Sequence, residues 1–141
     1  MSIANTEEKF FLESINVEQV FQIIERTDYF FLYNIKECMK SSAIEDGVYL
    51  SDLAEKMKLP IIDISKAVKN LEDKGYVIWK LDDNKEKTYI ALTNKAIELT
   101  QMQKRKMIDA YEKIISNIRK EDMETTVFTL SKIRQLLQEV K

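Results

Sequence analysis

The chain has 141 residues, 45% of them apolar and 33% charged, with a formal net charge of −2. That length fits a single domain, residues 1–141, with room for a modest core. One cysteine and no histidine exclude a disulfide framework and a histidine-rich metal site, no run is apolar for long enough to span a membrane, and no basic-then-apolar start marks a secretory signal, so the expected location is the cytoplasm.

With two glycines and one proline, helix should dominate and loops should be short. From Thr6 to about Arg26, Phe10, Val17, Phe21 and Ile24 fall at heptad-like intervals, widened by Phe11 and Val20, which predicts a first helix. Thr27 or Asp28 can cap a second helix that buries Leu32, Ile35 and Met39 and ends near Ser41-Ser42. Asp46-Gly47 makes a turn, and Val48-Tyr49-Leu50 can supply a short strand.

Ser51 to Gly75 then reads as two short amphipathic helices around a tight turn. Leu53, Ala54 and Met57 recur at spacings of three and four, as do Ile64, Ala67, Val68 and Leu71, with Leu59-Pro60 between them. Gly75 stops the second helix, where a residue of positive φ is wanted. Tyr76–Leu81 and Thr88–Thr93 are rich in β-branched and aromatic residues and predict strands joined by the charged tip Asp82–Lys87. A helix-turn-helix followed at once by such a hairpin is a winged helix, which offers its second helix to the DNA major groove.

Successive residues lie 100° apart around that second helix. Its outer side therefore carries Ile62, Lys66, Lys69 and Asp73, flanked by Ser65, Asp63 and Asn70. Lys66 and Lys69 can reach phosphate or a guanine edge, Ser65 can bond base or phosphate, Ile62 can touch a thymine methyl, and Asn70 completes the expected set. After Thr93 a long helix spans roughly Asn94–Ile118, striped by Ile108, Tyr111, Ile115 and Ile118. A last helix from about Glu121 carries Met123, Val127, Leu130, Ile133, Leu137 and Val140. Their apolar faces exceed what a small domain can cover, and a second copy of the chain is the expected cover.

The stretch LAEKMKL, the run SKAVKNLEDKG ending in Gly75, and the Leu92-Thr93 pair closing the second wing strand resemble the MarR family of bacterial transcription regulators. The resemblance covers Val48 to Thr93 specifically, and the flanking helices fit it in number and order. It implies a mainly α fold with a small β-wing: a winged helix-turn-helix at about residues 48–93, plus dimerisation helices at about 6–26 and 94–140. It also implies a homodimer on a pseudo-palindromic double-stranded DNA operator. In the family the recognition helix starts Ser-Arg-rich, whereas here it reads Pro60-Ile61-Ile62-Asp63. The family's wing Asp-x-Arg falls on Asn84 and Glu86, which leaves Lys85 and Lys87 as the wing's DNA contacts. The resemblance further implies a small aromatic or amphipathic effector, for which Tyr29, Tyr33, Met39, Tyr49 and Tyr111 are the candidate pocket residues, with core filling as each one's alternative.

Residues 48–93 carry 8 basic and 8 acidic groups, so the reading head is neutral overall. Since DNA affinity rests largely on phosphate neutralisation, its lysines must gather on one face to act. A winged-helix module that contacts proteins and not DNA is the competing reading. Cys38, on the second helix beside Met39, is expected to be a small buried hydrophobe. Catalysis has no support: there is no histidine, no Gly-rich phosphate loop and no cysteine cluster, so no enzyme, cofactor or metal is expected.

Overall fold

The computed structural model describes residues 18–140. Five α-helices and one hairpin follow in order: α1 Arg26–Met39, α2 Leu50–Met57, α3 Ile61–Asp73, β1 Val77–Leu81, β2 Thr88–Leu92, α4 Asn94–Ser116 and α5 Lys120–Glu139. The chain divides into two compact units, residues 1–104 and 105–141, with α4 passing from the first into the second.

In the first unit, here the head, the buried side chains are those at helical spacing. Leu32, Ile35 and Cys38 come from α1, Leu53 from α2, and Ile64, Val68 and Leu71 from α3. Ile24, Val48, Tyr76, Val77, Ile90 and Ala96 complete the cluster. The hairpin is antiparallel, with Trp79 opposite Ile90 and Leu81 opposite Thr88. Val48 and Ile90 exchange backbone hydrogen bonds of 2.9 Å in both directions. The expected third strand is thus a single bridge, because Leu50 already begins α2. Gly47 permits that bridge, since a Cβ there would collide with the Ile90 carbonyl and the Tyr89 ring.

Two helix ends close alike. At the end of α3, Gly75 (φ 81°) donates to the Glu72 carbonyl and Tyr76 to that of Leu71. At the end of α2, Lys58 (φ 55°) donates to Glu55 and Leu59 to Ala54. Both are Schellman caps, which need a left-handed residue. Gly75 adopts that conformation freely, whereas Lys58 bears a Cβ cost there.

The predicted first helix, Thr6–Arg26, lies largely outside the described residues. Its described end departs from expectation: residues 18–20 form one 3-10 turn, and α helix starts only at Arg26. Here Gln103 of α4, wholly buried, accepts at its side-chain carbonyl from the amides of Ile23 (3.1 Å) and Ile24 (3.2 Å). Its amide donates to the Val20 carbonyl at 2.7 Å, so these backbone groups find their partner outside any helix. Neither Thr27 nor Asp28 caps α1, whose N-cap is Glu25 without a side-chain bond. Asp28 is instead buried in the head.

The second unit holds the distal part of α4 and all of α5. No residue of α5 is buried, and Val127, Phe128, Leu130, Leu136 and Leu137 are more than half exposed. No helix of the described residues is long and apolar enough to cross a membrane.

Candidate nucleic-acid interface

The turn Lys58-Leu59-Pro60 sets α3 after α2, and the apolar side of α3 fixes which residues face out. Burial of Ile64, Val68 and Leu71 leaves Ile62, Ser65, Lys66 and Lys69 exposed. Ile62, in the first turn of α3, is 61% exposed. Lys66 has no ion-pair partner among the described residues. Lys69 lies 4.0 Å from Asp73, but both side chains are largely solvated, so this pair is weak and leaves the ammonium available.

Asn70 is held elsewhere. Its side-chain amide donates to Asp28 Oδ1 of α1 at 3.3 Å, although the residue itself stays exposed. The sequence could not reveal this, because Asp28 is 42 residues distant.

The wing is fastened at both ends. At its base, Thr93 Oγ1 donates to the Gly75 carbonyl at 2.7 Å and accepts from the Ala96 amide at 3.1 Å, capping α4 while tying it to the end of α3. At its tip, Asp82 Oδ1 accepts from the Glu86 amide at 3.1 Å, and Lys85 turns the chain with φ 57°. Lys85 and Lys87 are both exposed, and the Lys87 ammonium sits 5.7 Å from the Tyr49 ring centre. Asp46 braces the hairpin from the side, accepting from Lys80 and from the Tyr89 hydroxyl, each at 2.9 Å. These two donors, Lys80 foremost, hold the Asp46 carboxyl below its ordinary range.

The surface around the lysines is unusually apolar. Ile61 and Ile62 at the start of α3, and Ile78, Trp79 and Leu81 along β1, are exposed. Only Val77 of β1 is buried.

Four of the five candidate pocket residues, Tyr29, Tyr33, Met39 and Tyr49, lie in the head. Tyr29 and Tyr33 line one cavity of about 230 Å³ in the head, together with Lys36, Lys40, Thr100 and Lys104. Burial raises the Tyr29 hydroxyl above its ordinary pKa, with Tyr33 adding to the shift. Tyr49 lines a separate opening of about 620 Å³ rimmed by Glu45, Asp46, Asp82 and Asp83. Tyr111 belongs to the second unit, and Met39 packs against the head core. Cys38 is buried, and that burial pushes its thiol up. Among the described residues no group of histidine, cysteine or carboxylate side chains could hold a metal.

No protein-family model matches this sequence, and no curated protein matches it. Solved structures do match its fold. A Staphylococcus aureus MepR–DNA complex is similar with a TM-score of 0.63 at 18% identity, over 96% of each chain. Streptococcus pneumoniae FabT in complex with DNA is similar with a TM-score of 0.61 at 20% identity, over 96% of this chain and 88% of that one. MepR described as a transcription regulator of the S. aureus multidrug efflux pump MepA gives a TM-score of 0.61 at 18% identity, over 97% and 99%. The chain has the winged-helix fold that these regulators share.

Proposed function

We propose that this chain is a MarR-like transcriptional regulator of the cytoplasm that binds double-stranded DNA as a homodimer and carries out no catalysis. One observation carries the reading: α3 holds Ser65, Lys66 and Lys69 on its exposed side, within the fold of two proteins solved on DNA. In this reading α3 enters the major groove, Lys66 and Lys69 meet phosphate or guanine, and Ser65 and Ile62 adjust base preference. Lys85 and Lys87 touch the backbone at the wing. Asn70 acts in the support of the helix and not at the bases.

The dimer is supported by the second unit. A groove of about 680 Å³ is lined by Tyr111, Ile115, Ile118, Met123, Val127 and Phe128, and apolar surface of that extent is normally covered. A two-fold dimer would place its reading heads on half-sites ~10 base pairs, or a multiple of that, apart. The cavity at Tyr29 and Tyr33 suits a small aromatic effector, since tyrosine offers an apolar wall with a hydrogen-bonding tip. Such an effector acts by binding one spacing of the heads better than another.

A second reading draws on the exposed Ile61, Ile62, Trp79 and Leu81 of the neutral head: a winged module that docks on a protein. Fluorescence anisotropy with random duplex at low salt separates the two. Binding is expected, with each phosphate-contacting lysine removed lowering the log-log salt slope by about 1. If Lys66→Ala combined with Lys69→Ala binds every duplex as well as wild type, the protein-docking reading prevails.

A further inference from the structure

Asp28 and Gln103 are the buried polar side chains among the described residues. Gln103 satisfies backbone amides, whereas Asp28 holds the recognition helix. Its side chain is 5% exposed, and Oδ2 accepts from Lys74 Nζ at 2.5 Å while Oδ1 accepts from Asn70 at 3.3 Å. Both donors stand at the C-terminal end of α3, four residues apart on one flank. That flank lies roughly 100° around the helix from Ile64, Val68 and Leu71. Lys74 is held further, since its carbonyl accepts from Lys95 Nζ at 2.7 Å and its ammonium lies 3.5 Å from Glu25.

A buried ion pair is a poor source of stability, because desolvation offsets most of the attraction and well-packed apolar residues often serve as well. What it supplies is direction. Apolar packing along one side of a helix resists lifting but only weakly resists rolling about the axis. Two hydrogen bonds off to the side, on residues one turn apart, resist the roll. We propose that Asp28 is a positioning residue for DNA reading. By gripping Asn70 and Lys74 it fixes the roll of α3, so that Ser65 and Lys66 meet base edges in one register. It also withholds the Lys74 ammonium from phosphate. The inference rests on the DNA-binding reading above.

The test compares full-length wild type with Asp28→Asn, Lys74→Gln and the double variant. Anisotropy is measured on the best duplex selected by wild type from a random pool, and on a shuffled duplex of equal composition. In Asp28→Asn the ratio of selected to shuffled affinity should fall about tenfold, as expected when a base-reading contact is lost. Affinity for the shuffled duplex should hold or rise, because Lys74 is released. The double variant should be no less specific than Asp28→Asn alone, since both remove one contact. A purely structural role predicts something else: both affinities fall together with the melting temperature, and that outcome overturns the proposal. So does a ratio within about twofold of wild type in both single variants. Where Asp28→Asn does not fold, Lys74→Gln, changed from the more exposed partner, decides alone. Wild type that binds no duplex defeats the DNA-binding reading itself, a result distinct from specificity surviving the loss of Asp28.

Discussion

The head and the second unit are built from the same kinds of residue and use them in opposite ways. Every buried apolar side chain of the described chain lies between Ile24 and Ala96, in the head. In the second unit Tyr111, Val127, Phe128, Leu130 and Leu137 are all more than half exposed. Helical periodicity therefore marks an apolar face without saying what covers it. In the head the cover is the head itself. In the second unit the face stays exposed among the described residues, and apolar surface of that extent in water favours association.

The sharpest way to break this contrast is to charge the second unit. Val127→Glu with Leu130→Glu should weaken self-association at least about a hundredfold, read by sedimentation, while the near-ultraviolet circular dichroism of the head stays intact. Wild type sedimenting at the mass of one chain at micromolar concentration would remove the contrast, and the two-half-site arrangement with it.

Within the head, the two Schellman caps sharpen the comparison at a smaller scale. Gly75→Ala should cost about 1–2 kcal/mol by urea unfolding, because a Cβ is placed at positive φ. Lys58→Asn should stabilise by less than ~1 kcal/mol, since asparagine tolerates that conformation better. No gain from Lys58→Asn beside a loss from Gly75→Ala would show that the α2–α3 turn relaxes where the α3–β1 turn cannot.

The smallest effect concerns pH. The folded pKa of Asp46 is lowered by Lys80 and Tyr89, so its contribution is present above the unfolded value of about 3.9 and is lost as pH falls through the folded value. The folded pKa of Lys80 is raised by Asp46, so its share is present below about 10.5 and is lost as pH rises through the folded value. Asp46→Asn should flatten the acid limb of stability against pH. An unchanged limb would show that the brace contributes nothing.

What the sequence disclosed and what it hid divide along physical lines. The spacing of Leu53, Ile64, Val68 and Leu71, the β-rich runs around Asp82–Lys87 and the glycine at 75 are local signals. They located α2, α3 and the hairpin. Hidden were contacts whose partners meet only in three dimensions. Asp28 looked like a cap because aspartate at a helix start usually is one. Its partners Asn70 and Lys74 are 42 and 46 residues away. Asn70 was grouped with the outer residues by angle alone, and nothing in its own neighbourhood announces Asp28. Of the aromatics proposed as one pocket, Tyr29 and Tyr33 line one cavity and Tyr49 another, because tyrosine content gives no direction. Lys58 carried no signal either, because lysine is the wrong residue by type for a left-handed cap.

Gln103 carries a consequence for how the protein is made. Its hydrogen bonds reach back about 80 residues, from α4 to Val20, Ile23 and Ile24. A chain growing from the ribosome can form the α2–α3 turn and the hairpin as they emerge, since their partners are near in sequence. The segment before α1 must wait until residue 103 is out. The winged head thus reaches its final form only after the first turns of α4 have been synthesised, although most of its residues are made earlier.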